Sequence, residues 1–277
     1  MEEANQQSQC FLIPARLQTR FALIPARIAA TGNPTMARQI LECTVSKVIR
    51  ETSDVKTLHI DWPAGVDYDF KTGQFITVYL PEDPKTKRAY SLSSSELDRG
   101  FFEITIKRAG NFGTRIHDLA YDNMKLFVIP PVGKFTLPQD PSFDLVCIAG
   151  GSGVTPFRGY ARYCNAKQPQ THVTVLYSIR VPEDIIFNEE FNRLAAANPN
   201  FKFKVTCTRA TPDKGFTGQW DGRHGRIDAA WVREQIRDQA KTVFFACGPN
   251  ELVESTEQLV VNELGVPKEQ MRKEKWG

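Results

Sequence analysis

From Ile40 onward the chain divides into two stretches with different hydrophobic periods. In the first, apolar residues recur every second position. Cys43, Val45 and Val48, Leu58 and Ile60, Phe75, Thr77 and Tyr79, and Phe102, Ile104 and Ile106 each mark a short strand with one buried face. Helical spacing is almost absent before Thr114. Short strands, turn-rich connections and a single helix predict a six-stranded antiparallel β-barrel over residues 40–138. Pro138-Gln139-Asp140-Pro141 is the expected linker. Beyond it, continuous apolar runs alternate with helical spacing: Phe143 to Ala149, then helix Thr155 to Ala166; His172 to Tyr177, then helix Ile185 to Ala197; strand Phe201 to Thr208; helix Ala229 to Gln235; Thr242 to Ala246, then helix Glu251 to Leu264. Unbroken apolar runs are strands covered on both faces, so residues 142–277 are expected to form an α/β domain with a parallel sheet. Ligands bind such sheets beyond the carboxyl ends of the strands.

Residues 1–39 differ from both stretches. Between Ala4 and Leu41 there is no acidic residue, and Leu-Ile-Pro-Ala-Arg occurs at Leu12 to Arg16 and again at Leu23 to Arg27. Two readings stand: an unstructured extension upstream of a start at Met36, or an organelle transit peptide. The paired prolines and acidic Glu2-Glu3 favour the extension.

Candidate chemistry sits where strands end. Arg88-Ala89-Tyr90-Ser91-Leu92-Ser93 is one extended segment offering a cation for a diphosphate, a flat ring for stacking and a hydroxyl for a hydrogen bond. Gly150-Gly151-Ser152-Gly153-Val154-Thr155-Pro156 joins an apolar strand to a helix, where small residues admit a ligand and free N–H groups attract negative charge. Val243 to Pro249 repeats the strand-to-glycine pattern and sets Cys247 at the strand's end. A cysteine there serves either as packing or as part of a site.

In order and spacing, these motifs resemble the ferredoxin–NADP reductase family of flavin enzymes, from about Ile40 to the last residue. Ile106 to Thr114, which includes Lys107, is similar to the family's second flavin segment; Pro130 to Leu137 is similar to its exit from the flavin domain, with Pro130 where a glycine is usual, a difference expected to affect only a turn. The resemblance implies FAD, with Tyr90 stacked on the isoalloxazine, Ser91 near its N5, Leu92 in the same segment, and Arg88, Lys107, Gly113 and Thr114 serving the diphosphate. It implies NADPH or NADH at Gly151, Ser152, Gly153, Thr155 and Pro156, with Cys247, Gly248 and Pro249 beside the nicotinamide. Glu274 and Trp276 match a terminal glutamate and flavin-covering aromatic, although Trp replaces Tyr and Gly277 follows. Ser91, Cys247 and Glu274 are the expected catalytic group. Thr208-Arg209 lies where relatives hold the 2′-phosphate of NADP; Arg223, His224 and Arg226 either serve the same charge or are solvated, Ser178 and Arg180 either border the nucleotide or lie on the surface, and NADPH is only slightly favoured over NADH.

Composition narrows the function further. The 277 residues carry a formal net charge of +3, 41% hydrophobic and 24% charged residues, and no apolar run long enough to span a bilayer. No basic stripe interleaved with aromatics argues for nucleic acid. Cys10, Cys43, Cys147, Cys164, Cys207 and Cys247 are too widely spaced for zinc or an intrinsic iron–sulfur cluster, and the four histidines show no ligand spacing. Scattered thiols suit a reducing, cytoplasmic setting. The electron acceptor is then a separate soluble carrier such as ferredoxin or flavodoxin, with Arg99, Lys107, Arg108, Lys273 and Lys275 as a candidate docking ring. Two other functions remain open: an NAD(P)H:flavin reductase using flavin as substrate, and a flavin-binding electron-transfer subunit active only within a complex.

Overall fold

The computed structural model describes residues 40–66, 68–138 and 140–276; the N-terminal repeats, Gln139 of the expected linker and Gly277 lie outside them. Two six-stranded sheets follow one another. The first contains β1 (Leu41–Arg50), β2 (Val55–Asp61), β3 (Phe75–Leu80), β4 (Asp83–Ser91), β5 (Phe101–Lys107) and β6 (Lys125–Val132), with α1 (Gly110–Leu119) inserted before β6. All its pairings are antiparallel, in the order β4-β3-β6-β1-β2-β5. A bridge between Leu92 and Ile104 brings the two ends together and closes the barrel. Leu58, Ile60, Ile76, Val78, Ile104 and Leu126 fill it.

Three details depart from the sequence expectation. The register of β1 shifts between Val45 and Lys47, which explains why its apolar positions step by two and then by three: the bulge at Ser46 returns Val48 to the inner side. In β3 the core takes Ile76 and Val78, whereas Phe75 and Thr77 are half-buried on the other face. Both faces of Phe-Ile-Thr-Val-Tyr-Leu are apolar enough to be inside, so alternation alone cannot select one; Tyr79 is buried too, stacked on Phe127 at 5.3 Å. Pro130 and Pro131 lie within β6 and not in a turn. They are tolerated because pairing with β1 ends at Val128, so no ladder on that side needs their N–H.

The second sheet contains β7 (Asp144–Gly150), β8 (Val173–Ile179), β9 (Phe201–Cys207), β10 (Arg223–His224), β11 (Thr242–Pro249) and β12 (Met271–Trp276), all parallel, in the order β10-β9-β8-β7-β11-β12. Helices α2 (Thr155–Lys167) and α3 (Asn188–Ala197) cover one face; α4 (Ala229–Arg233) and α5 (Asn250–Glu257) cover the other. Helix α3 starts later than expected because Pro182 opens a separate short turn and Phe187 is left-handed. Helix α5 is shorter than expected, passing into π-helix over Gln258–Glu263. Phe135 and Leu137, leading out of the barrel, already pack in the second core, where the Tyr160 hydroxyl donates to the Phe135 carbonyl at 2.7 Å.

Candidate functional site

A cleft of about 760 Å³ opens at the carboxyl ends of β7, β8, β9 and β11. Its walls include Gly150, Gly151, Ser178, Arg180, Thr208, Arg209, Arg226 and Pro249 from the sheet side, with Asp54 and Lys107 from the barrel. Gly151 adopts φ +54, and a Cβ there would meet nothing within 4 Å, so this residue turns the chain toward open space. Gly153 serves a different purpose. A Cβ on it would sit 2.0 Å from the Cys247 carbonyl oxygen, so the turn packs directly on β11. Thr155 locks that turn by donating its hydroxyl to the Ser152 carbonyl at 2.6 Å, and Pro156 sits in the first turn of α2, where its missing N–H costs nothing. Of the expected nucleotide residues, Gly151, Thr208, Arg209 and Pro249 line the cleft, while Ser152, Gly153, Thr155, Pro156, Cys247 and Gly248 do not.

Charge in the cleft is unevenly satisfied. Arg180 and Arg209 are exposed, and neither has an ion-pair partner among the described residues. Their backbones are tied together, Arg209 N–H donating to the Arg180 carbonyl at 2.8 Å, while Thr208 spends its hydroxyl on the Ile179 carbonyl at 3.0 Å. Among the alternatives, Arg223 pairs with Asp228 and stacks on Trp231, and His224 is absent from the cleft wall. Arg226 reaches the cleft but is paired with Glu251 at 2.7 Å.

The barrel contributes its edge strand. β4 pairs only with β3 over Arg88–Ser91, leaving the other side of that segment open. Arg88 is exposed, its Nη1 donating to the Lys87 carbonyl at 2.8 Å. Tyr90 packs partly on the barrel core, and burial pushes its phenol up to about 12 despite the opposing Arg88 charge. Its hydroxyl lies 3.9 Å from where a Gly113 Cβ would be, so Tyr90 and the start of α1 are neighbours. The first turn of α1 has no side-chain cap and no acidic residue, and Thr114 follows half-exposed. Leu92 departs from expectation: its side chain is in the core and its N–H donates to Gln74 O at 2.9 Å, so it offers the edge neither group. Lys107 faces the cleft, paired with Asp54 at 3.2 Å.

The two halves meet at Ser91. Its Oγ donates to Glu274 Oε2 at 3.2 Å, a bond between residues 183 apart in the chain. Glu274 lies beside Cys247 in the β11–β12 register, and Trp276 lies beside Pro249. Burial holds the Glu274 carboxyl above the ordinary carboxylate range, with the Ser91 hydroxyl offsetting only part. Burial, then the Glu274 charge, drives the Cys247 thiol far above its ordinary value. Cys247 is 0% exposed, so it is neither a thiolate nor a surface contact in this arrangement. Trp276 is 39% exposed and, two residues along the same strand, shares a face with Glu274.

The residues suit two nucleotide ligands. An uncapped helix start beside a tyrosine and an exposed arginine suits a flavin diphosphate; a glycine turn opposite two unpaired arginines suits a second, phosphorylated nucleotide. Among the described residues no cluster of three metal-ligating side chains occurs. The expected cation ring is not free, because Arg99 pairs with Asp69, Lys107 with Asp54, Arg108 with Asp118, Lys273 with Glu257 and Lys275 with Glu254. Sequence reasoning also missed Glu103, Arg158, Arg162 and Glu190, whose mutual ion pairs join β5 to α2 and α3. The i, i+4 spacing of Arg158 and Arg162 was the available signal, and it does not reveal a carboxylate from another domain.

A flavin-type barrel joined to a dinucleotide-type sheet defines a two-domain redox protein. Residues 42–137 match the oxidoreductase FAD-binding domain and residues 147–258 the oxidoreductase NAD-binding domain. The chain belongs to the ferredoxin–NADP reductase-like family of FAD- and NAD(P)-binding oxidoreductases. It is 28% identical over 88% of its length to ferredoxin–NADP reductase B of Sorangium cellulosum, covering 98% of that protein. It is 30% identical over 82% of its length to the glycine betaine monooxygenase reductase subunit of Chromohalobacter salexigens, of which it spans 61%. Its fold is similar to that of the cytochrome P450 reductase GcoB of Amycolatopsis, with TM-score 0.75 and 22% identity over 86% of this chain and 69% of that one.

Proposed function

We propose that this chain is the reductase of an electron-transfer pair, oxidising NADPH in preference to NADH and supplying a separate soluble carrier through FAD. Bound FAD would accept a hydride from the nicotinamide and release electrons to the carrier one at a time. The observation that carries this reading is the Ser91–Glu274 hydrogen bond, which fixes the open barrel edge against the strand ends beside the nucleotide cleft. Such a site must hold two flat rings in contact, and both halves supply an edge to it.

In this reading Tyr90 supports one face of the flavin, and Arg88 with the Gly113–Thr114 helix start neutralises its diphosphate. Trp276 covers the opposite face and moves aside for the nicotinamide to come near Cys247, a thiol that positions by shape and stays protonated. Ser91 and Glu274 hold the proton near the flavin edge. Gly151 admits the nucleotide's diphosphate. Arg209 and Arg180 support NADPH, because an exposed pair of guanidinium groups without carboxylate partners among the described residues suits the ribose 2′-phosphate.

The carrier would be a ferredoxin, a flavodoxin or the partner of an oxygenase, the last suggested by the relative's name. Exposed Lys85 and Lys87, beside Arg88 on the open strand and without ion pairs among the described residues, support an acidic one. Among the described residues no helix is long and apolar enough to cross a membrane, and five described cysteines are free, which supports a cytoplasmic setting. The test is a visible spectrum of the purified chain followed by anaerobic NADPH or NADH. A bound yellow chromophore bleached faster by NADPH is expected. A colourless protein that takes up no FAD would overturn the reading, and turnover only with free flavin would replace it with flavin reduction.

A further inference from the structure

A buried cluster of charges joins the two domains away from the nucleotide cleft. Glu103 on β5 is 4% exposed and accepts from Arg158 Nη1 at 2.7 Å and Arg162 Nη1 at 3.0 Å, both on α2. His59 approaches the same carboxylate at 3.3 Å, and Asp98 lies 3.6 Å from Arg162. The arginines are held a second time within their own domain: Glu190 on α3 accepts from Arg158 Nε at 2.7 Å and from Arg162 Nε at 2.5 Å, and Arg158 stacks over Phe187 at 4.6 Å. Burial alone would raise the Glu103 carboxyl, but the two guanidinium groups outweigh it and hold it below the ordinary range.

The backbone of Glu103 is tied to the flavin-side segment as well. Its N–H donates to Ser94 Oγ at 3.0 Å, and its carbonyl accepts from Ser93 N–H at 2.8 Å. Ser93 follows Ser91 by two residues. Helix α2 begins immediately after the Gly151–Val154 turn. It meets the same segment at Gly159, where a Cβ would come within 2.7 Å of the Ser94 carbonyl oxygen. One residue thus connects the strand carrying Tyr90 and Ser91 to the helix carrying the nucleotide turn.

We propose that Glu103 is a positioning residue for hydride transfer, setting the angle and separation of the two domains so that the rings held by Tyr90 and by the Gly151 turn meet. This rests on the flavin–nicotinamide reading above. Buried ion pairs add little to stability compared with apolar packing, because desolvation consumes most of their attraction. What two guanidinium groups converging on one carboxylate do provide is direction. Misplacement of reacting groups by about 1 Å can slow a reaction on the order of 100-fold, whereas nucleotide affinity depends mainly on the sheet-side walls of the cleft, to which the barrel adds only Asp54, Val55 and Lys107.

The test compares Glu103→Gln with Glu190→Gln. Glu190 holds the same arginines but lies in their own domain, so its loss perturbs the cluster without cutting the crossing. Two quantities are measured: anaerobic flavin bleaching against NADPH concentration, and amide hydrogen exchange across Ser93–Ser95 in protein free of flavin and nucleotide. Glu103→Gln is expected to lower the bleaching rate at saturation by about 10-fold or more, leave the half-saturating NADPH concentration within about twofold, and accelerate exchange at Ser93–Ser95. Glu190→Gln is expected to stay within about twofold of wild type in both measurements. Glu103→Asp, which keeps the charge, recovers part of the rate and replaces the Gln variant if that fails to fold. Wild-type rate and exchange in the Glu103 variants, or equal slowing by Glu190→Gln, would overturn the proposal. If wild-type protein is not bleached at all, the flavin reading fails, while the exchange comparison still decides whether Glu103 couples the domains.

Discussion

Gly153→Ala and Gly151→Ala form a pair that tests why the nucleotide turn has its shape. At Gly153 a methyl group would lie 2.0 Å from the Cys247 carbonyl oxygen, 2.5 Å from its carbon and 2.9 Å from Gly248 Cα. All three are backbone atoms of β11, a central strand paired with β7 and β12, so no side chain can swing away. Relief requires the turn to lift by about 1 Å, and overpacking of this kind costs about 1–3 kcal/mol, here toward the upper end. At about 2–4 °C per kcal/mol, this lowers the unfolding midpoint of the nucleotide domain by roughly 6–12 °C. At Gly151 the new methyl meets nothing, so only the left-handed φ of +54 is strained, costing about 1–2 kcal/mol. Calorimetry of both variants, with half-saturation for NADPH, gives the comparison. Gly153→Ala should lose more in midpoint and retain its flavin, whereas Gly151→Ala, which lines the cleft, should raise half-saturation with the smaller thermal loss. Equal midpoints for the two variants, or a larger midpoint loss at Gly151, would falsify the packing argument.

Replacing Arg209 with Gln removes a charge-assisted contact worth about 1.4 kcal/mol or more, so kcat/KM for NADPH relative to NADH should fall about 10-fold, and an unchanged ratio would remove this arginine from phosphate recognition. Glu274 has a raised folded-state pKa, so its contribution to stability declines as pH rises from the ordinary carboxylate range through that raised value; Glu274→Gln should therefore gain relative to wild type in thermal midpoint between pH 4.5 and 7.5, and a relative loss over that interval would contradict it. Reversing Lys85 and Lys87 to Glu should slow reduction of an acidic carrier several-fold at low salt and less at high salt, leaving NADPH-driven bleaching of the flavin unchanged; equal carrier rates at low salt would move the docking face elsewhere.

The elements built from local signals were legible in the sequence. The apolar run of β7, the glycines after it and the Arg88–Ser91 segment declare themselves because strand period and turn chemistry are short-range properties. Glu274 was placed by resemblance, and its contact with Ser91 depends on pairing β12 with β11, which nothing in Met271–Trp276 specifies. The inner face of β3 was misread because both its faces are apolar. Glu103 was invisible for a more general reason. It occupies an alternation position between Phe102 and Ile104 that predicts exposure, and only the docking of α2 turns that outer face into an interior.

The open side of β4 also bears on how the protein behaves before any ligand reaches it. A strand with one unpaired edge is a template on which another chain can add, and that is a common route to aggregation. Here the exposed stretch reads Pro84-Lys85-Thr86-Lys87-Arg88, with one residue lacking an N–H and three like charges within four positions. A second copy approaching this edge would bring cation against cation. The ligand-accepting edge therefore discourages self-association, and protein stripped of flavin should stay dispersed at low salt and lose that protection as salt screens the charges.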